Sequence, residues 1–125
     1  MDYLWVALGG GLGASARYAV GDWFVRRYGG GFPIGTFVVN VSGSLLIGVI
    51  VTLLIEQLDV DPLWRRFLVI GFLGGYTTFS SYTYEAFALA DEGEWGRAAL
   101  YILGSNLIGL LACLSGIFLV RVFVR

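Results

Sequence analysis

Histidine is absent from the sequence, and Cys113 is the only cysteine. These two shortages exclude Ser/His/Asp and Cys/His catalysis, zinc sites built from cysteine and histidine, and a disulfide within the chain. Nucleotide-binding signatures are missing as well. We therefore expect a protein that is not an enzyme and that has no organic cofactor.

Charged residues are also scarce, at 14% of the 125 residues, and the eight basic ones are all arginine and lie scattered along the chain. No basic patch is present for nucleic acid, which we do not expect as a partner. Hydrophobic residues make up 58% of the chain. One soluble core of this size cannot bury so many apolar side chains, so the sequence predicts an integral membrane protein.

Four apolar segments follow one another, with short polar or glycine-rich connections between them. A helix needs about 20 mostly apolar residues to cross a bilayer, and each segment is long enough. The sequence therefore predicts a single domain over residues 1–125, all α-helical, with four transmembrane helices. The predicted segments are residues 3–24, 33–56, 63–90 and 95–123.

Arginines near the segment ends are divided almost evenly between the two sides of the membrane. Because such residues normally fix which side stays in the cytoplasm, a chain with so little bias can insert both ways. Opposite copies can pair about a two-fold axis in the membrane plane, so we expect an antiparallel homodimer, unless a signal outside this count favours one orientation. One side has Arg65, Arg66, Arg121 and Arg125, and the other has Arg26, Arg27 and Arg97, with Arg17 as a fourth if it is counted.

Asn40 and Tyr101 are polar residues deep inside apolar segments. At helical spacing, Asn40 shares a face with Thr36, and Tyr101 shares one with Ser105. An amide in lipid is costly unless it is hydrogen-bonded, so it tends to face another helix or a wet path. Helix packing and the lining of an ion path both explain these residues.

Arg17 shares a face of the first segment with Gly9 and Gly13. Small residues let helices approach closely, so we expect the arginine to lie against protein and not lipid. It can attract anions into a vestibule, pair with an acid of another helix, or serve as a structural anchor. Because Arg17 interrupts the apolar run and no basic stretch precedes it, we expect a retained helix and not a cleaved signal peptide.

The third segment contains Gly74, Gly75, Thr77 and Thr78, a run of poor helix formers in its middle. This run predicts a helix break within residues 74–79. Broken helices are recurrent ion sites in membranes, because freed carbonyls bind cations and freed amides bind anions. The two glycines can instead serve only the close crossing of neighbouring helices.

Phe79, Tyr82 and Thr83 follow at a spacing that places them along one helix, with Ser80 and Glu85 nearby. An aromatic ring has a positive edge and a negative face. Ring edges and hydroxyls along a narrow path stabilise a small anion without a full positive charge, which would bind it too tightly to release. Ordinary aromatic packing explains the same spacing.

The stretch Gly74-Gly75-Tyr76-Thr77-Thr78-Phe79-Ser80-Ser81-Tyr82 closely resembles the third-helix motif of the Fluc family of microbial fluoride channels, also called CrcB proteins. The resemblance extends over the chain, through residues 9–17, residues 35–40, and Tyr101 with Ser105. It implies a dual-topology antiparallel homodimer with two pores and a central structural sodium ion held by backbone carbonyls at the breaks. It also implies passive fluoride export across the inner (plasma) membrane of a microbe.

The resemblance assigns roles to individual positions. Gly74 and Thr77 match carbonyls of the sodium site, Phe79 and Tyr82 match the aromatic pair beside fluoride, and Asn40 would orient the rings or donate to the ion. Residues that match or adjoin the polar lining are Thr36, Ser80, Thr83, Glu85, Tyr101 and Ser105, and Arg17 matches the arginine near the pore entrance.

Two positions depart from the family pattern. The second aromatic position, usually Phe, is Tyr82, and its hydroxyl adds a hydrogen-bond donor where the family usually offers a ring edge. Gly109 stands four residues after Ser105, where some relatives carry another hydroxyl. We therefore expect a shorter polar lining at that end.

The main alternative is a small multidrug-resistance-type transporter, which is also a dual-topology dimer of four-helix chains but extrudes cations through a membrane-buried carboxylate. Such a transporter needs an acid inside its first helix, whereas Asp2 and Asp22 lie at the ends of this one and Glu85 lies in the third. A non-transporting structural subunit would also fit the balanced arginines. The expected partners are a second copy of the chain, fluoride and membrane lipid.

Overall fold

The computed structural model describes residues 1–124, which fold into five helices joined by short connections. Helix α1 is Asp2–Tyr28 and helix α2 is Ile34–Gln57, whose last five residues, Leu53–Gln57, have π-helical bonding. Helix α3 covers residues 62–76 and is π-helical over Arg65–Leu73. Helices α4 and α5 are Phe79–Asp91 and Trp95–Phe123. The predicted all-helical fold is confirmed for these residues.

Two of the described helices, α2 and α5, are long and apolar enough to cross a membrane. They have 24 and 29 residues, and a rise of about 1.5 Å per residue makes each longer than the roughly 30 Å of bilayer hydrocarbon. Helix α1, with 27 residues, also has the length. The total of four spans stays a prediction.

Helix α1 continues past its predicted end at residue 24 to Tyr28. Arg26 and Arg27, which were expected in the connection, form its last turn, where the helix dipole favours positive charge. Asp22 lies one turn earlier and forms an ion pair with Arg26 at 2.9 Å. The helix ends at Tyr28 and is followed by Gly29, whose φ of 80° is a conformation that suits glycine.

Ion pairs show which helix ends lie on the same side of the bundle. Asp2 at the start of α1 lies 3.5 Å from Arg66 near the start of α3. At the ends of α2 and α5, Glu56 accepts two hydrogen bonds from Arg121, at 2.9 and 2.6 Å. Helices α1 and α3 therefore run parallel, as do α2 and α5. The short connection 29–33 turns the chain back and places Gly35 of α2 against Gly21 of α1, so the long helices alternate in direction, consistent with the sides of the predicted arginine balance. Arg125, counted in that balance, lies outside the described residues.

The helices pack as two parallel pairs, α1 on α3 and α2 on α5. Glycines form both contacts. A Cβ on Gly13 would meet the main chain of Phe72, and one on Gly116 would lie 2.9 Å from the amide nitrogen of Val49. Without a side chain at these positions the backbones approach closely, which is how helices associate in lipid.

The outer face of α5 is a row of large apolar side chains that are exposed on the single chain. Such a row is unfavourable in water but suits lipid or a second protein surface. Because the same helix carries buried Tyr101 and Gly109 on its other side, its inner face belongs to the protein interior. The exposed residues are Leu100, Leu103, Leu107, Leu110, Leu111, Leu114 and Phe118.

Replacing Gly13 by alanine tests the packing of α1 on α3. The added methyl would collide with Phe72 and Tyr76 main-chain atoms, so we expect a loss of about 1–3 kcal/mol of stability from overpacking. Gly11→Ala is the matched control, because Gly11 lies two residues away on the same helix with nothing within 4 Å of an added Cβ. Thermal unfolding in detergent measures both, and equal midpoints would contradict this account.

Candidate ion pathway

The helix is interrupted between α3 and α4 at Thr77 and Thr78. Both have extended backbone, with φ −81° and ψ 156° at Thr77 and φ −146° and ψ 118° at Thr78. Gly74 to Tyr76 are still helical, so the interruption is shorter than the predicted range 74–79. The last carbonyl before the interruption to keep a helical donor is that of Leu73, which accepts from both the N–H of Thr77 at 3.0 Å and its Oγ1 at 2.9 Å. The depth of the interruption in a membrane stays a prediction.

Asn40 of α2 binds the interruption through its whole side-chain amide. Its Nδ2 donates to the Thr78 carbonyl at 3.0 Å, and its Oδ1 accepts from the Thr78 N–H at 2.8 Å. The amide therefore pairs with both main-chain groups of one extended residue, as a neighbouring strand would. A buried backbone group without a partner is costly, so Asn40 stabilises the interruption.

The interruption leaves carbonyl oxygens without their helical donors, among them those of Gly74 and Thr77. In a continuous helix the Gly74 carbonyl would accept from the N–H of Thr78, which bonds to Asn40 instead. The Thr77 carbonyl would accept from the N–H of Ser81, which bonds to the Thr78 side chain at 3.1 Å instead. Gly74 and Thr77 thus lose their helical donors, and free carbonyl oxygens are suitable ligands for a hard cation.

Arg17 of α1 contacts the same segment at Gly75, the residue after Gly74. Its Nε donates to the Gly75 carbonyl at 3.1 Å, so the side chain lies against protein, as expected. Of the three roles considered for Arg17, this bond supports structural anchoring, because it connects α1 to α3 directly before the interruption. Arg17 also lines a cavity of about 520 Å³ together with Thr36 and Glu85.

The predicted aromatic residues form a chain of contacts. The ring centroids of Phe79 and Tyr82 are 5.6 Å apart, and those of Tyr82 and Tyr101 are 5.3 Å apart. Phe79 is 76% exposed on the single chain, whereas Tyr82 and Tyr101 are 8% and 1% exposed. The path of rings therefore leads from the surface into the helix bundle.

Glu85 of α4 is bound by hydroxyls from two other helices. Thr36 donates to its Oε1 at 2.7 Å, and the Tyr101 hydroxyl lies 3.5 Å from its Oε2. Four residues after Tyr101, Ser105 has a buried hydroxyl with no hydrogen-bond partner among residues 1–124. The structure thus brings Thr36, Glu85 and Tyr101 together and leaves Ser105 with a free polar group.

Ser80 and Thr83 are separate from that group. Thr83 Oγ1 donates to the Ser80 carbonyl within α4 at 3.0 Å, and Ser80 Oγ lies 3.3 Å from Thr78 Oγ1. Both residues are exposed on the single chain. Their predicted place in the lining therefore depends on what covers this face of α4.

A second cavity, of about 340 Å³, lies beside the interruption. Asn40, Gly74, Thr77 and Phe79 line it together, so the predicted cation ligands and the first aromatic ring share one space. Thr78 lines both cavities. The residue that Asn40 holds therefore borders both spaces.

Asn106 is a site residue that was not predicted. Its Nδ2 donates to the Tyr82 hydroxyl at 2.8 Å, across 24 positions of the sequence. Such a separation gives no local pattern, and the available signal was an amide in an otherwise apolar helix. Only the packing of α4 on α5 brings the two residues together.

These features define a helical membrane protein in which an interrupted helix lies beside a polar and aromatic path. A model of the family described as CrcB-like protein, Camphor Resistance (CrcB), matches residues 4–117. The chain belongs to the CrcB family.

Several relatives carry the name fluoride-specific ion channel FluC. The one from Acidobacterium capsulatum is 50% identical over 116 residues, which are 93% of each chain. The one from Solibacter usitatus is 50% identical over 121 residues, 97% of this chain and 99% of the relative. The one from Koribacter versatilis is 43% identical over 120 residues, 96% and 95% of the two chains.

Asn40→Leu tests the support of the interruption. It leaves the N–H and carbonyl of Thr78 without their partner, and an unsatisfied buried group costs about 1–3 kcal/mol, so we expect a clear loss of stability. Ser44→Ala is the control, because within the described part of the chain the Ser44 hydroxyl donates to the Asn40 carbonyl of its own helix and not to the interruption. Thermal unfolding in detergent compares them. Equal losses would show that the amide does not support the interruption.

Proposed function

We propose that the protein is a fluoride-selective channel of a microbial inner membrane, with four membrane-spanning segments in each chain. The observation that carries this proposal is similarity over nearly the whole chain to proteins named fluoride-specific ion channels. In this function neutral HF enters the cell, ionises in the cytoplasm, and fluoride leaves passively through the channel. The driving force is the ion's own gradient.

The pathway that we propose follows the aromatic and hydroxyl groups. Phe79 and Tyr82 offer ring edges. Ser105 offers a hydroxyl that forms no hydrogen bond with any described residue. Thr36 and Tyr101 direct their hydroxyls at Glu85. These two hydroxyls shield a passing anion from the negative charge of Glu85. The remaining proposed members of the lining are Asn40, which lies beside the interruption, and Ser80 and Thr83 on the exposed face of α4.

Partial charges suit rapid passage of a small anion. A lysine or arginine in contact with fluoride would hold it strongly, whereas ring edges and hydroxyls replace part of its hydration and release it. We place the one nearby guanidinium, Arg17, in the outer 520 Å³ cavity, where it raises the local anion concentration. In this proposal the narrow path gives selectivity, and Arg17 in the outer cavity attracts anions to the path.

A second copy of the chain is part of this proposal. Phe79, Ser80 and Thr83 are exposed on the single chain, and hydroxyls facing lipid are unfavourable. A partner surface would cover this face and complete the two pathways. The balanced arginines favour a partner of opposite orientation, which makes an antiparallel homodimer.

A structural sodium ion fits the freed carbonyls. Gly74 and Thr77 of each chain would hold it, because their oxygens lack helical donors and line the same cavity. Bound there, the ion would supply positive charge that compensates the carbonyl oxygens of both copies. Asn40 and Arg17 keep the carbonyls of Thr78 and Gly75 out of the site by bonding to them.

The alternative transporter is not favoured. Its mechanism needs a free carboxylate inside α1, where Asp22 is instead paired with Arg26 in the last turns of the helix. The relatives reported above are named as channels. Ion flux distinguishes the other alternative, a structural subunit, because such a subunit would conduct no ions.

Ion efflux from liposomes tests the proposal. Vesicles containing the protein and a potassium ionophore should release fluoride at least about a hundredfold faster than chloride, measured with ion-selective electrodes. Asn40→Asp should lower fluoride efflux at least tenfold, because a carboxylate cannot donate to Thr78 and adds negative charge to the path. Equal release of both ions, or no release, would refute the channel.

Single cysteines in intact cells test the two orientations. In a Cys113→Ser background, Gly30→Cys and Asp59→Cys place a thiol in the first and second connections, which the alternating helices put on opposite sides. A membrane-impermeant maleimide should label about half of each variant if the copies insert both ways. Full labelling of one variant and none of the other would show a single orientation.

A further inference from the structure

The Tyr82 hydroxyl has a fixed hydrogen-bond environment on α5. It lies 2.8 Å from Asn106 Nδ2 and 3.5 Å from the Ile102 carbonyl oxygen. The same Asn106 nitrogen lies 2.8 Å from the Ile102 carbonyl. Three polar groups thus meet in an otherwise apolar part of the helix pair.

The orientation of the Asn106 amide follows from its partners. A carbonyl oxygen can only accept, so the group that faces Ile102 must be the NH₂ and not the amide oxygen. One of the two protons goes to Ile102 and the other to Tyr82 Oη. Tyr82 Oη is therefore an acceptor of this bond.

The Tyr82 hydroxyl proton is left almost free by this arrangement. Its one protein acceptor among residues 1–124 is the Ile102 carbonyl at 3.5 Å, well beyond the 2.7–2.8 Å typical of O–H···O bonds, and Asn106 already donates to that oxygen. A hydroxyl that accepts a hydrogen bond is polarised and donates more strongly. The phenol is held as a donor in need of an acceptor.

We propose that Asn106 is a positioning residue that holds Tyr82 so that its hydroxyl donates a hydrogen bond to the permeating anion. The inference rests on the proposed fluoride channel and adds a specificity-determining donor to it. It gives the departure from phenylalanine at this position a function, since the ring edge and the hydroxyl then both serve the ion. It also explains an exposed amide in an apolar helix, where it would otherwise be a liability.

A double-mutant cycle with Tyr82→Phe and Asn106→Leu tests the inference. Fluoride currents of the reconstituted channel are measured against fluoride concentration to give a half-saturating concentration for the wild type, both single variants and the double variant. Because hydrogen bonds to charged groups are among the stronger ones, losing this bond should raise the half-saturating concentration about tenfold or more. Thermal unfolding midpoints are recorded on the same four proteins.

We expect each single variant to raise the half-saturating concentration by a similar factor and the double variant to raise it no further. Asn106→Ala replaces Asn106→Leu if the larger side chain prevents folding. Additive effects of the two changes, or a lowered unfolding midpoint with an unchanged half-saturating concentration, would overturn the positioning role. If the wild type carries no fluoride current, the proposed function itself fails, which is a separate result.

Discussion

The paired hydrogen bonds between the Asn40 amide and the main chain of Thr78 are the constraint on which the site depends. They let an extended residue persist between two helices, although residues 1–124 contain no strand that could pair with it. By holding the Thr78 N–H, the amide also deprives the Gly74 carbonyl of its helical partner. One side chain thereby stabilises the interruption and creates a free oxygen in it.

Close helix packing brings the groups around the interruption into place. Gly13 lets α1 lie against the main chain of Phe72, which places Arg17 within reach of the Gly75 carbonyl. Helix α2 approaches from the other side with Asn40. Two helices therefore bind the segment around the interruption, α1 through Arg17 at Gly75 and α2 through Asn40 at Thr78.

Polar groups in this apolar bundle are either paired or left available in particular places. Glu85 is paired with the hydroxyls of Thr36 and Tyr101. Within residues 1–124, the Ser105 hydroxyl has no hydrogen-bond partner, and the Tyr82 hydroxyl donates only across a long distance of 3.5 Å. In a low-dielectric interior such groups are costly unless a bound ion or molecule forms hydrogen bonds with them. A few weak donors of this kind can therefore bind an ion and still release it.

The sequence alone determined the membrane class, the helical architecture and the segment that carries the interruption, because composition and poor helix formers such as Gly74 and Thr77 act locally. It also indicated Asn40 and Tyr101, since polar groups in lipid require partners. Only the tertiary structure decided which partners these are. The pairing of Asn106 with Tyr82 spans 24 positions and arises where α4 packs on α5, so no local pattern contains it.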